Sequence, residues 1–201
     1  MVAIIDYDAG NIRSVEKAVV SLGYEAVLTR DADTILSADH VILPGVGAFG
    51  EAMDKLTNYG LVDVLKAVAD RRIPLLGICL GLQLMFEDSE EAPGVKGLGL
   101  FKGHILRIPE KEDLKIPHIG WNSLQYPSEG RLFADIQKDS YVYFVHSYYL
   151  QAQEREIVKA VTEYGVEIHA SVEKDNLFAC QFHPEKSSDV GMKILQNFME
   201  I

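Results

Sequence analysis

From the start of the chain to Ile78, short apolar runs alternate with amphipathic stretches. Val2 to Asp6, Glu25 to Thr29, His40 to Leu43 and Ile73 to Ile78 are apolar for most of their length, the pattern of strands buried on both faces. Between them, Asn11 to Leu22 repeats Ile12, Val15, Val19 and Leu22 at helical spacing, and Gly23 stops it. Leu61 to Arg71 carries a second helical pattern. This alternation predicts an α/β fold with an open, mostly parallel central sheet flanked by helices. From Leu98 to Ile168 the pattern changes to shorter strand-like pieces, such as Gly103 to Ile108 and Tyr141 to Val145, with few helical runs. That segment is expected to form an antiparallel extension. Leu177 to Phe182 reads as one more apolar strand, and Ser188 opens a last helix over Val190 to Met199. No repeat or linker interrupts the chain, so residues 1–201 are expected to form one domain.

Chemistry enters at Gly77-Ile78-Cys79-Leu80-Gly81, directly after the fourth apolar run. A buried strand, a turn with a glycine on each side and a helix over Leu80 to Glu87 form a nucleophile elbow with cysteine at its apex. The glycines let neighbouring backbones approach where a Cβ would clash. The helix N-terminus faces the sulfur, and positive potential there favours thiolate over thiol. A cysteine in an apolar run is by itself ordinary packing. Cys180, in the middle of the last strand, is read that way.

A second motif, Gln181-Phe182-His183-Pro184-Glu185, supplies what the elbow lacks. Pro184 ends the strand, leaving His183 at its C-terminal edge, where open α/β sheets build their sites. Strand periodicity puts His183 and Glu185 on the same side. The carboxylate can hold one ring nitrogen and leave the other to serve the thiol. Cys79, His183 and Glu185 are therefore the candidate nucleophile, base and orienting group.

The third motif, Pro44-Gly45-Val46-Gly47-Ala48-Phe49-Gly50, follows the third strand. It lacks the Lys-Ser/Thr of a phosphate loop and the G-x-G-x-x-G spacing. It is either a tight strand-to-helix turn or an oxyanion strand around Val46 and Gly47, with the Leu80 N–H as second donor. His118 and His146 lack a partner set at metal-ligand spacing.

Composition narrows the setting. A chain of 201 residues can bury a full core without staples, and its two cysteines argue against a disulfide framework and for a reducing cytoplasm. A net charge of −11 makes nucleic acid and anionic membranes poor partners. No apolar run approaches the roughly 18 residues of a membrane span, and Met1 to Asp6 reads as a first strand, not a signal peptide.

The three motifs, in this order, resemble those of class I glutamine amidotransferases, whose fold is flavodoxin-like. Tyr7-Asp8-Ala9-Gly10-Asn11-Ile12, Gly81-Leu82-Gln83-Leu84-Met85-Phe86, Glu90 to Gly99, Pro117-His118-Ile119-Gly120-Trp121-Asn122 and Tyr143-Phe144-Val145-His146-Ser147-Tyr148 extend the likeness over the whole chain. They are most similar to the glutaminase subunits of imidazole glycerol phosphate synthases. The resemblance implies that Cys79 attacks the side-chain amide of glutamine to give a thioester and ammonia, with His183 moving the proton and Glu185 orienting it. It implies substrate contacts from Gln83, from Glu91 to the α-amino group and from backbone near Ser147 to the α-carboxylate. It implies no metal or organic cofactor. It also implies a heterodimer with a (β/α)8-barrel cyclase subunit, into which ammonia passes to yield imidazole glycerol phosphate and AICAR. Asn11, Trp121, Tyr143 and Lys186 would meet that partner, although aromatics such as Trp121 and Tyr143 equally suit a core. Where many relatives have Pro-Gly-Gly, this chain has Pro-Gly-Val-Gly, and the resemblance implies that the strand must reorient before the Val46 N–H faces the site. A glutaminase serving another synthase, such as that for pyridoxal phosphate, and a stand-alone Cys hydrolase of the same fold are the rival readings.

Overall fold

The computed structural model describes residues 1–201. The first half runs β1 (Val2–Ile5), α1 (Ile12–Ser21), β2 (Ala26–Thr29), α2 (Ala32–Leu36), β3 (His40–Leu43), α3 (Phe49–Asn58), α4 (Leu61–Asp70), β4 (Leu75–Ile78) and α5 (Leu80–Leu84). There follow β5 (Asp88–Ser89), β6 (Gly103–Arg107), β7 (His118–Ser123), β8 (Tyr141–His146) and β9 (Tyr148–Ala152). The chain closes with β10 (Val158–Glu163), β11 (Glu167–Lys174), β12 (Leu177–Cys180) and α6 (Ser188–Met199).

The central sheet has the order β10-β11-β12-β4-β3-β1-β2. The run from β12 to β2 is parallel, and β11 and β10 add on in antiparallel sense. Adjacent residues of each inner strand serve opposite cores: Ile5, Leu43 and Leu75 on one face, Ile4, Ile42 and Leu76 on the other. Burial on both faces is why these strands appear as unbroken apolar runs. The expected extension divides. β5, β6 and β9 form a small sheet, β7 and β8 form a two-stranded antiparallel ribbon, and β10 and β11 join the central sheet. Within the small sheet β5 runs parallel to β6, so the extension is not wholly antiparallel.

Two helices lie where none was expected. α2 is a short helix capped by Asp31, whose carboxylate accepts from the Thr34 N–H at 2.8 Å. α3 begins two residues beyond Gly47 and buries Phe49, Ala52, Met53 and Leu56. In the other direction, α5 stops at Leu84 instead of reaching Glu87.

α5 packs tightly over the sheet. A Cβ added at Gly81 would lie 1.9 Å from the Leu43 carbonyl oxygen, and one at Gly77 would lie 2.8 Å from Gly81 backbone. Neither neighbour is a side chain that can swing aside. Gly81→Ala is therefore expected to cost about 3 kcal/mol and to lower Tm by roughly 6–12 °C in a thermal melt. A melt within about 2 °C of the parent would show that α5 can shift away from β3.

Candidate active site

The C-terminal ends of β1, β3, β4 and β12 meet at one edge of the sheet. Tyr7, just beyond β1, donates its hydroxyl hydrogen to the Pro44 carbonyl at 2.8 Å and ties the first of these ends to the second. Burial, then the nearby Cys79, pushes the Tyr7 phenol well above its ordinary pKa, so it stays a neutral donor.

Cys79 occupies the apex between β4 and α5 with φ 54° and ψ −105°, a region a non-glycine residue rarely visits. Its N–H donates to the Cys180 carbonyl at 2.8 Å, which pins the elbow to the neighbouring strand. The helix behind it is a single short turn, so its dipole is a small influence on the sulfur. A more direct one comes from Gln181, whose Nε2 donates to Sγ at 3.7 Å. Gln181 belongs to the second motif, but nothing in strand spacing turns it toward Cys79.

His183 and Glu185 do meet, although not by strand periodicity. β12 ends at Cys180, and Pro184 to Lys186 form a turn of 3-10 helix that brings the carboxylate back under the ring. His183 Nδ1 lies 2.8 Å from Glu185 Oε1, and both side chains are fully enclosed. The same oxygen accepts from Asn11 Nδ2 at 2.7 Å. Asn11 thus steadies this carboxylate, a contact invisible in a sequence that separates the two residues by 174 positions. His183 Nε2 is buried and makes no hydrogen bond of ordinary geometry. Burial alone would lower the His183 pKa, but Cys79 and Glu185 together outweigh it and carry the imidazolium up to about 9. A ring held protonated here can act as the acid in a nucleophile–base pair.

A cavity of about 330 Å³ opens over the sulfur, lined by Val46, Gly47, Cys79, Leu80, Gln83 and Glu91 on one side and by Pro117 and Val145 to Tyr148 on the other. Gln83, Glu91 and Ser147, the expected substrate contacts, share this one space. Gln83 uses its Nε2 on the Tyr148 carbonyl and Gln181 Oε1. Its own carbonyl is what it can offer a ligand. Glu91 accepts from the Phe49 N–H at 2.9 Å, at the start of α3. A wider groove of about 740 Å³ runs past Tyr126 and Arg131, but Arg131 is engaged there by Glu173.

The oxyanion donors are not delivered. The Leu80 N–H donates to the Gly45 carbonyl at 3.3 Å. A trans peptide points its C=O and N–H in opposite directions, so the Val46 N–H faces away from that donor. The strand presents an acceptor where chemistry needs a donor. Gly47, at φ 108°, sits in a backbone region that other residues resist.

Four residues expected at a partner face divide. Trp121 is 50% exposed and meets Tyr143 edge to face, the ring centroids 6.2 Å apart. Lys186 is exposed and has no ion-pair partner within the chain. Asn11 turns inward to Glu185, as above.

The family described as glutamine amidotransferase class-I matches residues 3–201. The imidazole glycerol phosphate synthase subunit HisH of Caldanaerobacter subterraneus is 49% identical, over 100% of this chain and 98% of its own. The HisH subunit of Methanocaldococcus jannaschii is 48% identical over the full length of both. Among solved structures, a glutamine amidotransferase superposes with a TM-score of 0.78 at 19% identity, covering 100% of this chain and 98% of its own. PurLQS of Thermotoga maritima does so with 0.71 at 19%, covering 99% and 97%. These two likenesses speak for the fold alone. No helix is long and apolar enough to cross a membrane. With its whole length matched, the chain belongs to the class-I glutamine amidotransferase family.

Proposed function

We infer that this chain is the glutaminase subunit of an imidazole glycerol phosphate synthase, working as a single domain in the cytoplasm. The observation that carries the reading is the cavity that gathers a strained Cys79 with Gln83, Glu91 and Ser147, in a chain about half identical along its full length to HisH subunits. The Cys79 thiolate attacks the side-chain carboxamide carbon of glutamine. The tetrahedral adduct collapses as His183 gives its proton to the departing nitrogen, which leaves as ammonia. His183 then takes a proton from water, which cleaves the thioester to glutamate and restores the sulfur. Glu185, steadied by Asn11, holds the ring in place throughout.

The partner is a (β/α)8-barrel cyclase, which receives the ammonia. Support for a docking face comes from the outer side of the β7–β8 ribbon. Ile119, Trp121 and Tyr141 are each at least half exposed there, and exposed apolar clusters mark interaction surfaces. Lys186 adds an unpaired charge three residues beyond His183. Reversing it, Lys186→Glu, is expected to weaken assembly with the cyclase about two- to fivefold by titration, the worth of a rim ion pair. Unchanged assembly would remove Lys186 from the interface.

The stand-alone hydrolase reading conflicts with the hydrogen bond from Leu80 to Gly45, which leaves the free chain without a ready oxyanion site. The decisive assay compares glutamine hydrolysis by the chain alone with hydrolysis in the presence of the cyclase and its nucleotide substrate. Absence of hydrolysis in both conditions would overturn the reading.

A further inference from the structure

At the wall of the cavity, which His146 helps to line, two buried histidines touch each other. His118 Nδ1 lies 3.0 Å from His146 Nε2, and both residues are almost fully buried. Neither has a role in the steps above. Their proton positions can be deduced, because the group at the centre of the cluster is a backbone carbonyl, which only accepts.

That carbonyl is Tyr148's. His146 Nδ1 lies 2.8 Å from it and must therefore carry the hydrogen. A neutral His146 then has an accepting Nε2, so His118 must donate from Nδ1. His118 Nε2 in turn accepts, and Asn122 Nδ2 stands 3.4 Å away to supply it. Asn122 cannot be reversed, since its Oδ1 accepts from the Ser123 N–H and its Nδ2 donates to the Glu163 carbonyl. Burial depresses both histidines, His118 to about 4 and His146 to about 3, so both rings are neutral at pH 7.

The same carbonyl sets the other branch. Gln83 reaches it with Nε2 at 3.2 Å, which fixes the Gln83 amide. That Nε2 also donates to Gln181 at 3.1 Å, so the Gln181 atom there is the oxygen. The remaining end of Gln181 is its NH2, and it points at Cys79 Sγ. Six groups thus link the β7–β8 ribbon to the nucleophile in two donor runs that meet at the Tyr148 carbonyl, which accepts from both, and no member can reverse without leaving a pair of like groups facing each other.

We propose that His118 and His146 are positioning residues for Cys79, acting through the Tyr148 carbonyl to hold Gln83 and Gln181 so that an N–H faces the sulfur. The proposal rests on the reading of Cys79 as the nucleophile. A donor aimed at Sγ stabilises the thiolate more than the thiol. If His118 loses its donor, His146 Nε2 is left as a buried acceptor. His146 then gains by turning its ring toward another donor, and the Tyr148 anchor loosens.

The test is alkylation of Cys79 by iodoacetamide in the full chain, followed by mass spectrometry across pH. Cys180 is wholly buried and serves as the internal blank. His118→Val, which removes the donor, is expected to slow alkylation at pH 7 about tenfold and to move the rate–pH curve to higher pH. His118→Asn keeps an N–H near the Nδ1 position and is expected to stay within about threefold of the parent. Both variants lose the stacking of the His118 ring on Tyr164, so a loss of packing alone would affect them equally. Gln181→Met removes the last donor directly and should reproduce the His118→Val shift, which guards against a His118→Val chain that does not fold. Parent-like alkylation in His118→Val or in Gln181→Met, or equal rates for His118→Val and His118→Asn, would overturn the proposal. The measurement needs neither glutamine nor cyclase. A parent chain that alkylates normally but never hydrolyses glutamine with its partner would sink the functional reading and leave this test intact.

Discussion

Replacing Cys79 with alanine is expected to lower glutamine-dependent turnover of the assembled synthase by roughly 10⁶-fold, the scale on which an enzyme loses its nucleophile. The site holds no substitute. Cys180 lies in β12 with its thiol enclosed, and burial, then Glu185 and Cys79, raises its pKa well above the ordinary value. Ser147 lines the cavity, but it has no buried base of the kind His183 offers Cys79. Synthesis from added ammonium salt should continue at near the parent rate, because ammonia then reaches the cyclase without the thioester step. The two assays separate the chemistry of this chain from its fit to the partner. Glutamine turnover by Cys79→Ala within about tenfold of the parent would reject Cys79 as nucleophile, and loss of both activities would show that residue 79 also supports assembly.

The second large effect concerns the free chain. One oxyanion donor is worth about 10²–10³ in rate. In the structure the Leu80 N–H is held by Gly45 and the Val46 N–H faces away from it. Glutamine hydrolysis by the isolated chain should therefore run about 10²–10³-fold below that of the complex with cyclase and nucleotide. Both donors become usable together if the peptide between Gly45 and Val46 turns over, since that one motion releases Leu80 and redirects Val46. Val46 and Gly47 are exposed on one side of that peptide, whereas Gly45 on the other is buried against Tyr7 and Leu80, so the turn requires those neighbours to give. Stopped or continuous glutamate detection on the two preparations checks the ratio, and a ratio near one would mean that the resting strand is no obstacle.

How much of this was legible beforehand follows from where the information lies. Inner strands such as β3 and β4 announce themselves because burial on both faces leaves no polar positions. α3 has its apolar residues at helical spacing, Phe49, Ala52, Met53 and Leu56, but the glycines just before it drew the segment into the loop. β10 and β11 carry buried polar residues, Thr162, His169 and Ser171, which blur their pattern. At the site, Cys79 and His183 stand out because each ends an apolar run. Asn11 against Glu185, Gln181 against Cys79 and His118 against His146 do not. Those contacts depend on the order of strands in the sheet and on turns such as Pro184 to Lys186, and local spacing carries neither.

The bond between Gly45 and Leu80 also sets endurance against speed. It belongs to the idle conformation, so any substitution that tightens it makes the protein harder to melt and slower to wake. Heat-resistant variants selected without an activity screen would drift toward sluggish catalysts. A looser latch would spill ammonia with no acceptor waiting.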